Sequence, residues 1–211
     1  MDIDEQLSLI RSQGLNDNLT EALSQAGRFH GHVCPGLAIG ISASILFSDH
    51  HIRSIDEEIV AVVENDACGV DAIQALLGCT FGKGNLIFKD HGKSVYTFID
   101  RNTGKGWRYS FKGMPPSDDD ELAMDLFSKV RSGKASIEEE FRFRELWAER
   151  AAKVLSAGKS LFTITESRDE IPEKARIFDS FTCPGCGEKV GSHRAVEIDG
   201  ERYCIPCSRK G

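Results

Sequence analysis

Apolar residues first recur at helical spacing over residues 18–29, where Leu19, Leu23 and Ala26 share a face behind Asn18 as cap. The stretch His30-Gly31-His32-Val33-Cys34-Pro35-Gly36 breaks that pattern, and Pro35 suits the first turn of a new helix. This helix, Leu37 to Ser48, is apolar on nearly every face and should be buried. Glu58 to Val63 is a β-branched run typical of a strand covered on both faces. It leads into a helix from Cys68 to Leu77, which Gly78 ends. Leu86–Phe88, Val95–Ile99 and Trp107–Phe111 then read as successive antiparallel strands between Gly- and Asn-containing turns. Two further helices follow, with capping-box patterns at Asp118/Glu121 and Ser136/Glu139. The second carries Phe143, Trp147, Ala151 and Val154 on one stripe, and Gly158 follows its end. Leu161 to Thr165 reads as a last strand.

These elements predict an α+β fold, a mixed sheet flanked by helices. Ile171-Pro172-Glu173-Lys174 reads as a linker, dividing the chain into a core domain (1–170) and a small C-terminal domain (171–211). The formal net charge of −7 makes nucleic acid an unlikely partner, because phosphate attracts Lys and Arg. No apolar run is long enough to span a bilayer, and the acidic N-terminus has no signal-peptide pattern. The expectation is a cytoplasmic protein without membrane attachment. The acidic runs at 118–121 and 138–140 read as helix N-termini.

The seven cysteines are an odd number, which together with a reducing compartment argues against a disulfide framework. Cys183-Pro184-Gly185-Cys186 and Cys204-Ile205-Pro206-Cys207 are two C-x-x-C pairs at zinc-finger spacing. Each pair turns two thiolates toward one point, so the four bind a structural Zn2+. With Val190, Val196, Ile198 and Tyr203 as its large apolar residues, the segment needs the metal to fold. Asp199-Gly200 reads as a hairpin turn.

The other group is His30, His32 and Cys34, with Cys68 and Cys79 further along. The first three alternate, so an extended segment would point them the same way. Cys34 precedes a helix start, where backbone N–H groups favour thiolate. Thiolate and imidazole together suit zinc, iron, copper or nickel, and a second divalent metal, Zn2+ the first choice, is expected here. Cys68 and Cys79 flank one helix, and a lone buried cysteine is ordinary. Glu64-Asn65-Asp66 could offer a ligand or base, Asp71 a base, and Lys83 in Gly82-Lys83-Gly84-Asn85 a contact to an anionic ligand. His50, His51 and His91 read as helix-end or turn residues.

The blocks Phe29–Gly36, Cys68–Gln74 and Gly78–Leu86 resemble the E-subunit family of formylmethanofuran dehydrogenase over roughly residues 20–160. The resemblance implies a thioredoxin-like core and, in some members, a C-terminal treble-clef zinc finger. It implies a metal site built from the His/Cys loop and the two later cysteines, here His32, Cys34, Cys68 and Cys79, with His30 an alternative or additional ligand. It implies a metal-binding accessory protein of anaerobic redox metabolism, partnered with a molybdenum- or tungsten-dependent dehydrogenase. A homodimer is expected on the same ground. A free-standing metalloenzyme and a zinc-finger regulator are the alternatives.

Overall fold

A computed structural model describes residues 2–49, 53–114 and 116–209. His50 and His51 lie outside them. The chain divides into the units Met1–Lys174 and Ala175–Gly211. In the first, the elements run α1 (Ile3–Arg11), α2 (Asp17–His30), α3 (Pro35–Ser48), β1 (Ile59–Val63), α4 (Gly69–Leu77) and β2 (Leu86–Phe88). They continue with β3 (Val95–Asp100), β4 (Gly106–Phe111), α5 (Asp120–Arg131), α6 (Ile137–Ala157) and β5 (Phe162–Glu166).

The all-round apolarity of α3 has the expected consequence: the helix is buried along most of its length and packs against α2, α4 and α6. Its partners α4 and α2 also pack on each other, so the helices form a layer. Ile59, Ala61 and Val63 of β1 join Phe98 and Tyr109 in the main core, while Val60, Val62 and Ile99 form a smaller cluster with Ile87. This is the period-two alternation of a strand buried on both faces.

The five strands form one mixed sheet in the order β2-β1-β3-β4-β5. One expectation changes here. β2 is not antiparallel to its sequence neighbours; it pairs parallel with β1, Ala61 opposite Leu86, and the other pairings are antiparallel. The reason is α4, which carries the chain back to the start of the sheet before β2 begins. Asn85 fixes that crossover. Its buried amide donates to the Ile59 and Gly78 carbonyls and accepts from the Thr80 amide. Lys83 donates to the Ser54, Ile55 and Asp56 carbonyls, so it clamps this turn rather than reaching outward for an anion.

Four helix starts bear on the expectations. Asp2 and Glu5 form a capping box for α1, a helix the spacing had not indicated. Asn16, not Asn18, caps α2. Ser136 and Glu139 form the expected box on α6, whereas the Asp118/Glu121 box does not form, because α5 starts at Asp120 without a side-chain cap.

The stripe on α6 is only partly covered. Ala151 and Val154 are buried, but Trp147 is half-buried, stacked on Phe127 of α5 with centroids 5.4 Å apart and tilted against Phe143 at 4.7 Å. Trp147→Ala should therefore cost about 2–3 kcal/mol in a denaturant titration, below the range for a fully buried indole. A loss under about 1 kcal/mol would mean the aromatic stack contributes nothing beyond a surface contact.

In the second unit, β6 (Ser180–Thr182) pairs with β7 (Lys189–Gly191) and β8 (Val196–Ile198) with β9 (Glu201–Tyr203), followed by a short α7 (Ile205–Ser208). Asp199 and Gly200 both have positive φ, 50° and 80°, as a two-residue hairpin turn requires. Among the described residues no helix is long and apolar enough to cross a membrane.

Candidate metal centres

α2 ends at His30, where Gly31 takes the left-handed conformation (φ 90°) and turns the chain out of the helix. Three residues later Cys34 caps α3, its sulfur accepting from the Leu37 amide at 3.3 Å, and Pro35 opens the helix. The short link between the two helices gathers three donors. One donor atom from each of His30, His32 and Cys34 lies within 4.8 Å of the other two. The two imidazoles lie side by side, tilted by 40°, with centroids 4.4 Å apart.

His30 is oriented by α4. Its Nδ1 lies 2.6 Å from Oδ2 of Asp71, whose other oxygen accepts from Gln74. A carboxylate only accepts, so Nδ1 carries a proton, and in the neutral ring Nε2 is then the nitrogen with the lone pair. That Nε2 is buried and has no hydrogen-bond partner. A buried, unpartnered imidazole nitrogen beside a second imidazole and a thiol is the arrangement a metal ion satisfies. A carboxylate on the far ring nitrogen is the usual support of a metal-bound histidine. Asp71 is thus engaged with His30 rather than free to act as a base.

Cys68 reaches the same corner from the other side. α3 and α4 meet through glycines: a Cβ placed on Gly36 would stand 3.8 Å from the sulfurs of both Cys34 and Cys68. Cys68 does not belong to the mutual group of three donors, so it flanks the cluster on the Cys34 side.

Cys79 is a correction. The nine residues of α4, about 13 Å at 1.5 Å per residue, separate it from Cys68, because it follows the Gly78 cap at the opposite end of the helix. Its thiol is fully buried and donates to the Ile59 carbonyl at 3.5 Å. Burial pushes that thiol up to about 12. It is a packing residue under β1, not a donor to the His/Cys cluster.

At Cys34 the preference for thiolate expected of a helix start is reversed. Burial outweighs the Leu37 amide, and with Cys68 nearby it pushes the Cys34 thiol up to about 12. Burial thus disfavours the thiolate of Cys34 in the absence of a metal, and a cation bound there would displace the thiol proton. Burial first, and then the proximity of His30, lower the basicity of His32, which favours its neutral form.

Glu64, Asn65 and Asp66 separate into three roles. Buried Glu64 accepts from His91 at 3.1 Å and Arg108 at 3.0 Å. Burial pushes its carboxyl up, but these two donors more than offset that and hold it below the usual range. Asn65 accepts from the Ala67 amide. Asp66 lines a cleft of ≈ 420 Å³ that His30, Cys68 and Asp71 also border.

In the smaller unit the sulfurs of Cys183, Cys186, Cys204 and Cys207 all lie within 4.8 Å of one another. Cys183 follows β6; Cys204 caps α7, and Cys207 lies within it. The Cys204 amide donates to the Cys183 sulfur, and this bond, more than any opposing burial, holds that thiol down to about 6. Such a group fits a tetrahedral zinc with no open position. Phe181, just outside the cysteine span, is the buried apolar anchor that the reading of residues 183–207 missed; Val190, Ala195 and Tyr203 pack around it and the buried cysteines.

Comparison with known proteins agrees with this division. The family described as FmdE, molybdenum formylmethanofuran dehydrogenase operon, matches residues 29–163. The prokaryotic dksA/traR C4-type zinc finger matches residues 176–210. A curated relative from Archaeoglobus fulgidus, a "probable S-adenosyl-L-methionine-binding protein", is 32% identical over 198 residues. That match covers 90% of this chain and 53% of the relative, so the chain spans about half the relative's length. A crystal structure of a tungsten formylmethanofuran dehydrogenase FmdE-like protein from Syntrophus aciditrophicus superposes with a TM-score of 0.59 at 24% identity. It covers 90% of this chain and 91% of its own, and shows the shared fold.

Proposed function

Because this chain belongs to the FmdE family, we propose that it is a metal-binding accessory protein in which His30, His32 and Cys34 hold a divalent, zinc-class ion. Cys68 stands beside that ion, and Cys183, Cys186, Cys204 and Cys207 hold a structural zinc. The observation that carries the reading is the buried, unpartnered Nε2 of His30, oriented through Nδ1 by Asp71. One sulfur and two nitrogens fit the softness of zinc, and when bound the ion would supply Lewis acidity at this corner. The operon description of the family supports a partner role beside a molybdenum- or tungsten-dependent formylmethanofuran dehydrogenase-type enzyme. The thioredoxin-like classification of the core is supported by the β1-α4-β2 unit extended by antiparallel β3 and β4, and the treble-clef reading by two hairpins leading into α7.

Anaerobic titration of the full chain with cobalt(II) tests the core site. Two sets of thiolate charge-transfer bands are expected, and Cys34→Ala should abolish one set while leaving that of the finger. Asp71→Asn should weaken the same site by about 10–100-fold, through loss of the imidazole's orientation. His91→Ala, whose ring is paired with Glu64, should change neither. A Cys34→Ala titration superimposable on that of the unaltered protein would refute the core site.

A second reading, a free-standing protein that binds or transforms a small molecule at the metal, is favoured by the cleft beside the cluster and by the name of the Archaeoglobus fulgidus relative. In that reading Asp66, at the cleft, is the available base, since Asp71 is engaged with His30.

A further inference from the structure

The cleft beside the His/Cys cluster has a defined position and chemistry. It opens where Val63 ends β1 and Phe88 ends β2, at the carboxyl end of the single parallel pair in the sheet, the place where α/β sheets bind ligands. Its volume, ≈ 420 Å³, falls in the range of small-molecule pockets. The wall is apolar: Val63, Val70 and Leu86 line it with two phenylalanines. Phe81 is 83% exposed and Phe88 48%, an unusual placement for two large rings on one pocket.

The cluster and the cleft share residues. His30 belongs to the donor group and also lines the cleft, and Cys68, which flanks Cys34 outside that group, lines the cleft as well. Among the described residues His30, His32 and Cys34 are the donors within mutual reach and Cys68 lies outside their group, so one position of a zinc-type tetrahedron is left for a ligand. Charge narrows the class of ligand. Among the described residues no Lys or Arg lines the cleft, whereas Asp66 and Asp71 do. With Cys34 ionised on a divalent ion, the surroundings of that ion carry net negative charge, which disfavours an anionic ligand. The first turn of α4 does not reverse this: its Val70 and Asp71 amides already donate to the Ala67 and Cys68 carbonyls.

We propose that this cleft binds a neutral or cationic molecule with a flat, apolar ring system. The ring packs against Phe81 and Phe88, and a nitrogen or sulfur atom of the ligand occupies the open position of the core metal. This rests on the metal site proposed above and assigns it a ligand class. Ring packing of this kind tightens binding by about 2- to 10-fold beyond area burial.

The test uses the full chain loaded with cobalt(II), with imidazole, 4-phenylimidazole and benzoate as probes and the cobalt ligand-field bands as readout. 4-Phenylimidazole should perturb the Cys34-dependent bands with an affinity about tenfold or more above that of imidazole, because its extra ring is buried in the cleft. Benzoate should bind worst. Phe81→Ala removes an exposed ring and leaves the fold intact; it should reduce the advantage of 4-phenylimidazole several-fold and leave imidazole unchanged. Cys34-dependent bands with equal affinity for imidazole and 4-phenylimidazole, with benzoate the tightest probe, or with no response to any probe would overturn the ligand class alone. Absence of the Cys34-dependent bands themselves would overturn the metal site and, with it, this proposal.

Discussion

Gly40→Ala should destabilise the larger unit by about 3 kcal/mol or more, although it adds a single methyl group in a helix. An ideal Cβ on Gly40 would stand 2.1 Å from the Gly69 carbonyl oxygen and 2.6 Å from its Cα. Both are backbone atoms at the start of α4, so no side chain can swing away. Helix propensity works in the opposite direction, favouring alanine by about 1 kcal/mol. The clash therefore decides the sign. The same close approach of α3 and α4 sets Cys34 beside Cys68, and forcing the helices apart should also weaken the Cys34-dependent metal site. Denaturant unfolding monitored by tryptophan fluorescence gives the stability, and a loss under about 1 kcal/mol would show that the helices separate at little cost.

Cys186→Ser should unfold residues 175–211 while the larger unit stays folded. Cys186 is exposed, so its replacement removes a ligand rather than packing. The apolar support of the finger is Phe181 with the half-buried Val190 and Tyr203, too little to order this unit by itself. Structural zinc contributes on the order of 10 kcal/mol to such segments, so three thiolates in place of four should leave the segment open to protease. Limited proteolysis reads this directly: cleavage should concentrate after residue 174, with the larger unit surviving as a resistant fragment. Unchanged resistance of the C-terminal segment would mean that it folds without a complete metal site.

Much of this arrangement was legible in the chain. The buried α3, the β-branched β1 and the Gly78 end of α4 follow from local pattern, and two C-x-x-C pairs at that spacing admit few other readings. What escaped depended on contacts distant in sequence. A three-residue strand carries no sign of its partner, so the parallel pairing of β2 with β1 appears only once α4 is known to bring the chain back. Cys68 and Cys79 look equivalent as flanks of one helix, but a helix separates its ends, and only one end faces the His/Cys loop. The net effect at Cys34 was not legible either, because a helix start promises a thiolate and burial overrides it. One signal was present and passed over. Gly40 within an otherwise apolar helix costs stability unless something must come close, and here it is the backbone of Gly69. Asp71 had a similar ambiguity, since the same carboxylate in the first turn of α4 serves as base or as support for His30, and only the 2.6 Å contact decides.

The central claim is that this chain carries two metal sites of different kinds, and metal analysis of the full-length protein purified without oxygen measures it most directly. About two equivalents of divalent metal per chain are expected, zinc foremost, falling to about one in Cys34→Ala and to a different one in Cys186→Ser. A single equivalent that Cys186→Ser abolishes and Cys34→Ala leaves untouched would contradict it, and would make His30, His32 and Cys34 a buried polar corner with no metal to hold.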